Sequence, residues 1–135
     1  MPDLIAPPAA QQPAEAAELV SLALSDGDLD AALAQYEPGA ALRPWAAGAE
    51  RGDGGLRATL TSVMDLRLPL SARVLAVLPA GDLALVLAER EIAGSGPGGA
   101  PLRFRGQGAS VVRRQPDGAW RIAADAWCLA APDPR

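Results

Sequence analysis

The sequence predicts an α+β domain in which N-terminal helices are followed by an antiparallel meander of strands. Apolar residues recur at helical spacing in the first half, and four β-prone runs separated by turn residues fill the second. At 135 residues, 50% of them hydrophobic, the chain has the size of one domain with one real core.

The elements follow in order. Residues 1–12 are rich in Pro, Ala and Gln and read as a flexible tail, because such a stretch buries too little to offset its ordering entropy. The domain proper spans 13–130, and 131–135 form a second tail. From Ala14 to Leu24, the residues Ala16, Leu19, Val20, Ala23 and Leu24 mark one helical face. Ser25-Asp26-Gly27-Asp28 breaks it, and Asp26 or Asp28 caps a second helix with inner face Leu29, Ala32, Leu33 and Tyr36. Glu37-Pro38-Gly39 ends that helix. Ala40 to Ala46 is a short strand, AGAERGDGG is a loop, and Leu56 to Leu66 is a third helix with Leu56, Leu60, Val63 and Met64 on one side.

Four strands remain: Ala72 to Leu78, Asp82 to Ile92, Leu102 to Arg114 and Ala119 to Cys128. Gln115-Pro116-Asp117-Gly118 has the residue order of a type I hairpin turn. Pairing Glu91 with Arg103 and Glu89 with Arg105 sets opposite charges across from each other. That register puts Leu83, Leu85, Leu87, Ala109 and Val111 on the charged face, and Ala84, Val86, Ala88, Arg90, Phe104, Gly106, Gly108 and Ser110 on the other. A tight last turn then sets Gly108 opposite Asp125 and Gly106 opposite Trp127, with open space beside the glycines and Trp120 and Ile122 facing outward. A one-residue bulge after Gly118 would flip the assignment.

Composition narrows the chemistry. All twelve basic residues are Arg, and there is no His or Lys. That excludes a Ser-His-Asp triad, a Cys-His nucleophile, His-liganded zinc, a Schiff-base lysine and a phosphate-loop lysine. Acid-base work falls to Asp, Glu, Tyr or Cys. A net charge of −4 argues against nucleic acid as partner. Cys128 is alone, so no intrachain disulfide forms. No segment reads as a secretion signal or reaches the roughly 20 apolar residues that span a bilayer, so the expectation is a cytoplasmic protein with no membrane partner. Gly94, Gly96 and Gly99 match GxGxxG spacing, but no helix follows them. Arg51-Gly52-Asp53 is read as a chance tripeptide in a loop.

The order SDGDLDAALAQYEPGAAL, AGDLALVLAE, VVRRQPDGAWRIAADAW resembles the nuclear transport factor two-like superfamily over residues 14–128, in particular its SnoaL-like and ketosteroid-isomerase-like bacterial members. The resemblance implies a cystatin-like cone, with helices closing one side of a strongly curved antiparallel sheet, a ligand inside and a homodimer through the convex face. Ketosteroid isomerase uses an Asp base and an oxyanion hole made by a Tyr and a protonated Asp. Matching by eye puts Pro44, Val20 and Ser110 at those positions, and none can do that work. The lack of His also excludes the histidine-dependent dehydratase version. By the same matching, Ala123, Asp125 and Trp127 line the cavity.

Asp125 is the candidate catalytic residue: a place inside the cone would desolvate it as a general acid or base requires, while the structural alternative is a paired acid that fixes the hairpin. Trp127 and Trp45 are candidates for stacking on a flat ligand or, alternatively, for core anchors. Arg90 is a candidate for binding a carboxylate or phenolate, or else lies in solvent at the cone mouth; its offset along the strand argues against contact with Asp125. Arg43, Tyr36 and Ser110 complete the candidate pocket. No metal and no cofactor are expected.

Three functions fit. The first is a homodimeric small-molecule-binding domain with a mostly apolar cone and a modest apolar or aromatic ligand. The second is a cofactor-free isomerase, cyclase or hydratase using Asp125. The third is an assembly or regulatory module whose cone is filled by side chains. Small residues at Ala84, Ala88, Gly106, Gly108 and Ala123 favour a cavity.

Overall fold

The computed structural model describes residues 7–46 and 55–131. Their elements run α1 (Pro13–Ser25), α2 (Leu29–Leu33), β1 (Tyr36–Trp45), α3 (Gly55–Met64), β2 (Leu70–Ala80), β3 (Leu83–Ser95), β4 (Pro101–Arg114) and β5 (Trp120–Leu129). The loop expected after Ala46 and the Arg51-Gly52-Asp53 tripeptide lie outside the described residues. No described helix is long and apolar enough to cross a membrane.

Local chemistry sets the helix ends. Pro13 opens α1, where a missing N–H costs nothing, and Glu15 Oε1 accepts from the Gln11 and Gln12 amides at 2.7 and 3.0 Å. Gly27, at φ 74°, lets the Asp28 amide turn back to Ala23 O. The Asp28 side chain then caps α2 by accepting from the Ala31 amide at 3.1 Å.

The second helix is shorter than its apolar spacing predicts. It stops at Leu33, and Tyr36 is not on its inner face but opens β1, with Glu37-Pro38-Gly39 inside the strand. The cause is tertiary: the Ile122 amide donates to Gln35 O at 2.8 Å, and Tyr36 pairs with Ile122. Pairing then lapses until Ala41 meets Ala124, and Pro38 falls in that lapse, where an edge strand tolerates a proline.

The sheet order is β1-β5-β4-β3-β2. Strands β2 to β5 pair antiparallel as a meander, while β1 adds a parallel edge beside β5, so the curved sheet is mixed rather than purely antiparallel, and it is not closed. Between β3 and β4, Glu91 faces Arg105 and Glu89 faces Gln107, two residues away from the expected register. The hairpin closes further along, with the Gly96 amide on Ala100 O. A shift of two preserves the faces. The expected ion pairs also form, as diagonals: Arg103 to Glu91, and Arg105 to Glu89 at 3.1 Å.

Between β4 and β5 there are two irregularities. The last turn closes from Gln115 to Ala119, with Gly118 at φ 90°, one residue longer than a tight turn. That puts Val112 opposite Ile122 and turns Ile122 into the core, where it is fully buried, correcting the outward placement of Ile122 and Trp120. A second extra residue, Ala123, then intervenes before Ala124 meets Val111. Ser110 therefore faces Asp125, and Asp125, Trp127 and Leu129 all point inward. Ala123 is the bulged residue, not a regular member of the concave wall.

The core lies between this concave face and the helices. Ala16, Val20 and Leu24 of α1 and Leu60 and Val63 of α3 pack with Val86, Ile92 and Val112 of the sheet. Ala10, ahead of α1, joins it: it is fully buried, and its carbonyl accepts from the Trp120 amide at 2.9 Å. Gln35 Nε2 donates to Pro8 O at 2.6 Å.

Candidate functional site

Asp125 is the centre of a buried polar cluster. Each of its oxygens is already accepting. The Ser110 hydroxyl donates to Oδ1 at 2.6 Å, while the Tyr36 hydroxyl and the Trp127 indole N–H donate to Oδ2 at 2.8 and 2.9 Å. Arg90 Nη2 lies 3.6 Å from Oδ1 and donates to Ser110 Oγ at 3.3 Å. The guanidinium carbon sits 5.3 Å from the Trp127 ring centroid.

Four strands meet here because of the register. Asp125, Ser110 and Val86 share one row across β5, β4 and β3, and Arg90 stands four residues along β3 from Val86. That offset does not prevent contact with Asp125. Arg90 carries a long side chain, and it spans the offset so that Nη2 reaches Ser110 Oγ and the neighbourhood of Asp125 Oδ1. The alternative of solvent exposure is excluded as well: the side chains of Arg90 and Asp125 retain 1% and 0% of their exposure.

The glycines have a different role from the one expected. A Cβ on Gly108 would lie 1.8 Å from Ala126 O, and one on Gly106 would lie 2.1 Å from Cys128 O. They admit the backbone of β5 rather than leave open space, and Cys128 turns there with φ 58°. Trp127 is consequently fully buried.

Burial and charge also act on Tyr36. Desolvation raises its pKa well above the ordinary 10.0, and the Asp125 charge and hydrogen bond raise it further, while the Arg90 charge opposes them. The phenol stays neutral and remains a donor.

Two expected site residues lie elsewhere. Trp45 packs edge-on against Phe104, with centroids 5.3 Å apart at 78°. Arg43 is exposed on β1, and its Nη2 donates to Ala46 O at 3.4 Å. It borders an outer groove of about 510 Å³ between β1, α3 and the convex faces of β4 and β5. Among the described residues no three His, Cys, Asp or Glu side chains cluster as metal ligands do. One feature had no sequence signal: Arg90 Nε and Nη1 are buried with no hydrogen-bond partner.

Comparison with solved structures places this architecture. A ketosteroid isomerase-like protein from Erwinia carotovora atroseptica superposes with TM-score 0.71 at 21% identity, covering 90% of this chain and 95% of that one. A nuclear transport factor 2-like superfamily protein from Salmonella enterica gives TM-score 0.66 at 15% identity, covering 88% and 87%. The chain has the nuclear transport factor two-like fold.

Within the nuclear transport factor two-like fold other names occur at similar distance. A protein from Thiobacillus denitrificans, named for the association domain of calcium/calmodulin-dependent protein kinase type II, gives TM-score 0.69 at 20% identity over 93% of this chain and 99% of that one. Neither a family model nor a curated protein sequence matches the chain. The fold carries no single chemistry. In this version of it, Val20 and Pro44, the residues matched to the isomerase tyrosine and base, are buried and bring no ionisable group to the concave side.

Proposed function

We propose that the protein is a small-molecule-binding domain that takes a modest apolar or aromatic compound between its helices and the concave sheet face, with Arg90 as polar anchor and no cofactor. The observation that carries this reading is the pair of unpartnered donors on Arg90, Nε and Nη1. A buried donor left unmet costs about 1–3 kcal/mol, and replacing Arg90 and Asp125 together by apolar residues of similar volume would serve packing alone at least as well. The surroundings suit an apolar ligand, since Val86, Ile92, Val112 and Ile122 line the same face.

Entry would be through the helical side. A cleft of about 520 Å³ lies between the C-terminal ends of α1 and α3, and two of its walls, Leu24 and Met64, also belong to the core packing. Met64 is unbranched and adapts to what it packs against, so these two side chains are the ones a ligand would displace. In this reading Asp125 orients the cluster. Proton transfer by Asp125, as an isomerase, cyclase or hydratase would need, requires an oxygen turned to the substrate, and Oδ1 and Oδ2 already serve Ser110, Tyr36 and Trp127.

The test is a screen of apolar and aromatic compounds read on the Trp127 indole N–H resonance. At least one compound should shift it, and more weakly in Arg90→Lys. A resonance unmoved across the screen would overturn the reading.

A second reading, an assembly or regulatory module, is favoured by a different observation. Leu78, Leu83 and Leu85 are exposed together on the convex face of β2 and β3. That patch suits a homodimer through the convex sheet face, with the Glu89, Glu91, Arg103 and Arg105 ladder as polar rim.

A further inference from the structure

Strand β2 is an outer strand of an open sheet, and among the described residues it has a strand on one side only. We propose that residues 75–79 pair antiparallel with the same stretch of a second copy about a two-fold axis at Val77, joining two sheets edge to edge. The contact is separate from the convex patch and from the concave site, and it does not depend on either reading above.

The first reason is the direction of the exposed apolar groups. At its start β2 is tied to α1: Ser25 Oγ accepts from the Leu70 amide at 2.9 Å and donates to Leu70 O at 3.0 Å, and Leu70 is buried. Further along, Leu75, Val77 and Leu78 keep 42, 37 and 51% of their exposure. Leu78 pairs with Leu85 and faces the convex side, whereas Val77 pairs with the fully buried Val86 and faces the concave side. A partner laid on the convex face would cover Leu78 and leave Val77 in water. A strand added at the edge covers both and also meets the outward backbone N–H and C=O groups.

The second reason is self-complementarity. No charged residue stands between Arg73 and Asp82. Centred on Val77, the pairing sets Ala76 opposite Leu78 and Leu75 opposite Pro79, apolar against apolar throughout. Leu75 is the extra residue where β2 bulges against β3, and Pro79 has no N–H to offer, so the missing donor falls where the ladder is irregular in any case. Arg73 of one copy then ends opposite Gly81 of the other, next to Asp82, and these two side chains are 71 and 69% exposed. Opposite charges close each end of the seam, and no like charges face each other. A strand from another protein would have to bring this match with it, while a second copy supplies it by symmetry.

Hydrogen exchange of the full chain over a series of protein concentrations, read beside sedimentation velocity, tests the pairing. Amides in residues 75–80 should exchange at least about tenfold more slowly in the dimer than in the monomer. Val77→Lys puts an ammonium at the seam, where its stem can still lie along the sheet edge, and should abolish that concentration-dependent protection with far-ultraviolet circular dichroism unchanged. Leu83→Glu with Leu85→Glu, on the convex face of β3 and away from the edge, should keep it. The wild-type comparison stands even if Val77→Lys does not fold. Protection that survives Val77→Lys, or that is lost in the Leu83 and Leu85 variant, would overturn the proposal, the second result moving the contact to the convex face. So would a wild-type chain that sediments as a monomer at micromolar concentration, or residues 75–80 exchanging as fast in the dimer as in the monomer. Each of these results leaves the small-molecule reading intact.

Discussion

The Tyr36 hydroxyl donates to Asp125 Oδ2 at 2.8 Å across 89 residues of sequence. Tyr36 opens the parallel edge strand and Asp125 sits in its neighbour, so a side-chain bond inside the cone reinforces a backbone pairing that the intervening strands do not supply. The bond also has a pH signature. Tyr36 is the single tyrosine of the chain, and its pKa in the folded protein is raised above 10.0, first by burial and then by the Asp125 charge. A raised value means that the stabilisation is complete below the unfolded tyrosine value and is lost as pH climbs toward the folded one. Phenolate absorbance should therefore appear together with unfolding, and not before it. Tyr36→Phe should cost about 1–3 kcal/mol at neutral pH by urea denaturation and should flatten the alkaline limb. A phenolate that titrates in a folded protein would contradict the cluster.

Asp125→Asn leaves Arg90 charged and buried without its counter-ion. Loss of about 3–5 kcal/mol is expected, the usual cost of breaking a buried pair from one side. The double variant Arg90→Met with Asp125→Leu removes both charges, and its urea midpoint should lie above that of Asp125→Asn. A midpoint lower than the single variant's would mean that the two residues act independently.

Much of this was legible beforehand, and what was not has a common cause. Local signals located α1, α3, the meander and the Gln115-Gly118 turn, because helical spacing and turn chemistry act within a few residues. The Glu89 and Glu91 ladder fixed the faces of β3 and β4 even though the register is two residues off, since a shift of two exchanges no side chain between faces. Long-range partners were not legible. Nothing near Tyr36 shows that β5 will draw it out of α2, and nothing near Arg90 shows that its side chain will reach Asp125. Asp125 stood out as an acid in an apolar strand, but apart from Trp127 the groups that surround it, Tyr36, Ser110 and Arg90, come from three other strands.

Gly108→Ala tests the close approach of β5. The added Cβ would meet Ala126 O, a backbone atom fixed by sheet pairing and unable to swing aside as a side chain could. A loss of about 3 kcal/mol is expected, at the upper end of overpacking costs, together with a shift of the Trp127 fluorescence environment. Gly118→Ala, with open space around it but φ 90°, should cost less and leave that fluorescence unchanged. Equal effects at the two sites would argue that packing is not what the Gly108 variant perturbs.

The convex ladder should respond to acid. The Arg73 hydrogen bond holds the Glu89 pKa below the ordinary 4.5 against desolvation, and Arg105 adds to the lowering. A lowered value gives stabilisation that is present above the unfolded glutamate pKa and disappears as pH falls through the folded one. Glu89→Gln should lower the melting temperature slightly near neutrality, where the stabilisation is complete, and flatten the profile below pH 4.5, so that the two proteins converge in acid. High salt should mimic the substitution, because the ladder faces water.

Leu78 and Leu85 are cross-strand partners, and both are exposed. If the convex face joins two copies, Leu78→Glu with Leu85→Glu places like charges at the seam and should give a monomer in sedimentation velocity, with far-ultraviolet circular dichroism unchanged. A wild-type protein that sediments as a monomer at micromolar concentration would remove the proposed dimer face.

The extra residue in the last turn and the extra residue at Ala123 form a pair of phase changes in the alternation of β5. Between them Trp120 and Ile122 face inward, and beyond the second Asp125, Trp127 and Leu129 do. Deleting Ala123 alone would remove the second phase change and leave the alternation of β5 unbroken, with Asp125, Trp127 and Leu129 still facing the interior. An alanine inserted beyond the bulge, between Ala124 and Asp125, would instead send the acid, the indole and Leu129 to the convex surface. In this strand the spacing of residues is inherited information in its own right, because the bulge absorbs the one extra letter at Ala123, and a further letter after it exchanges inside for outside over the rest of β5.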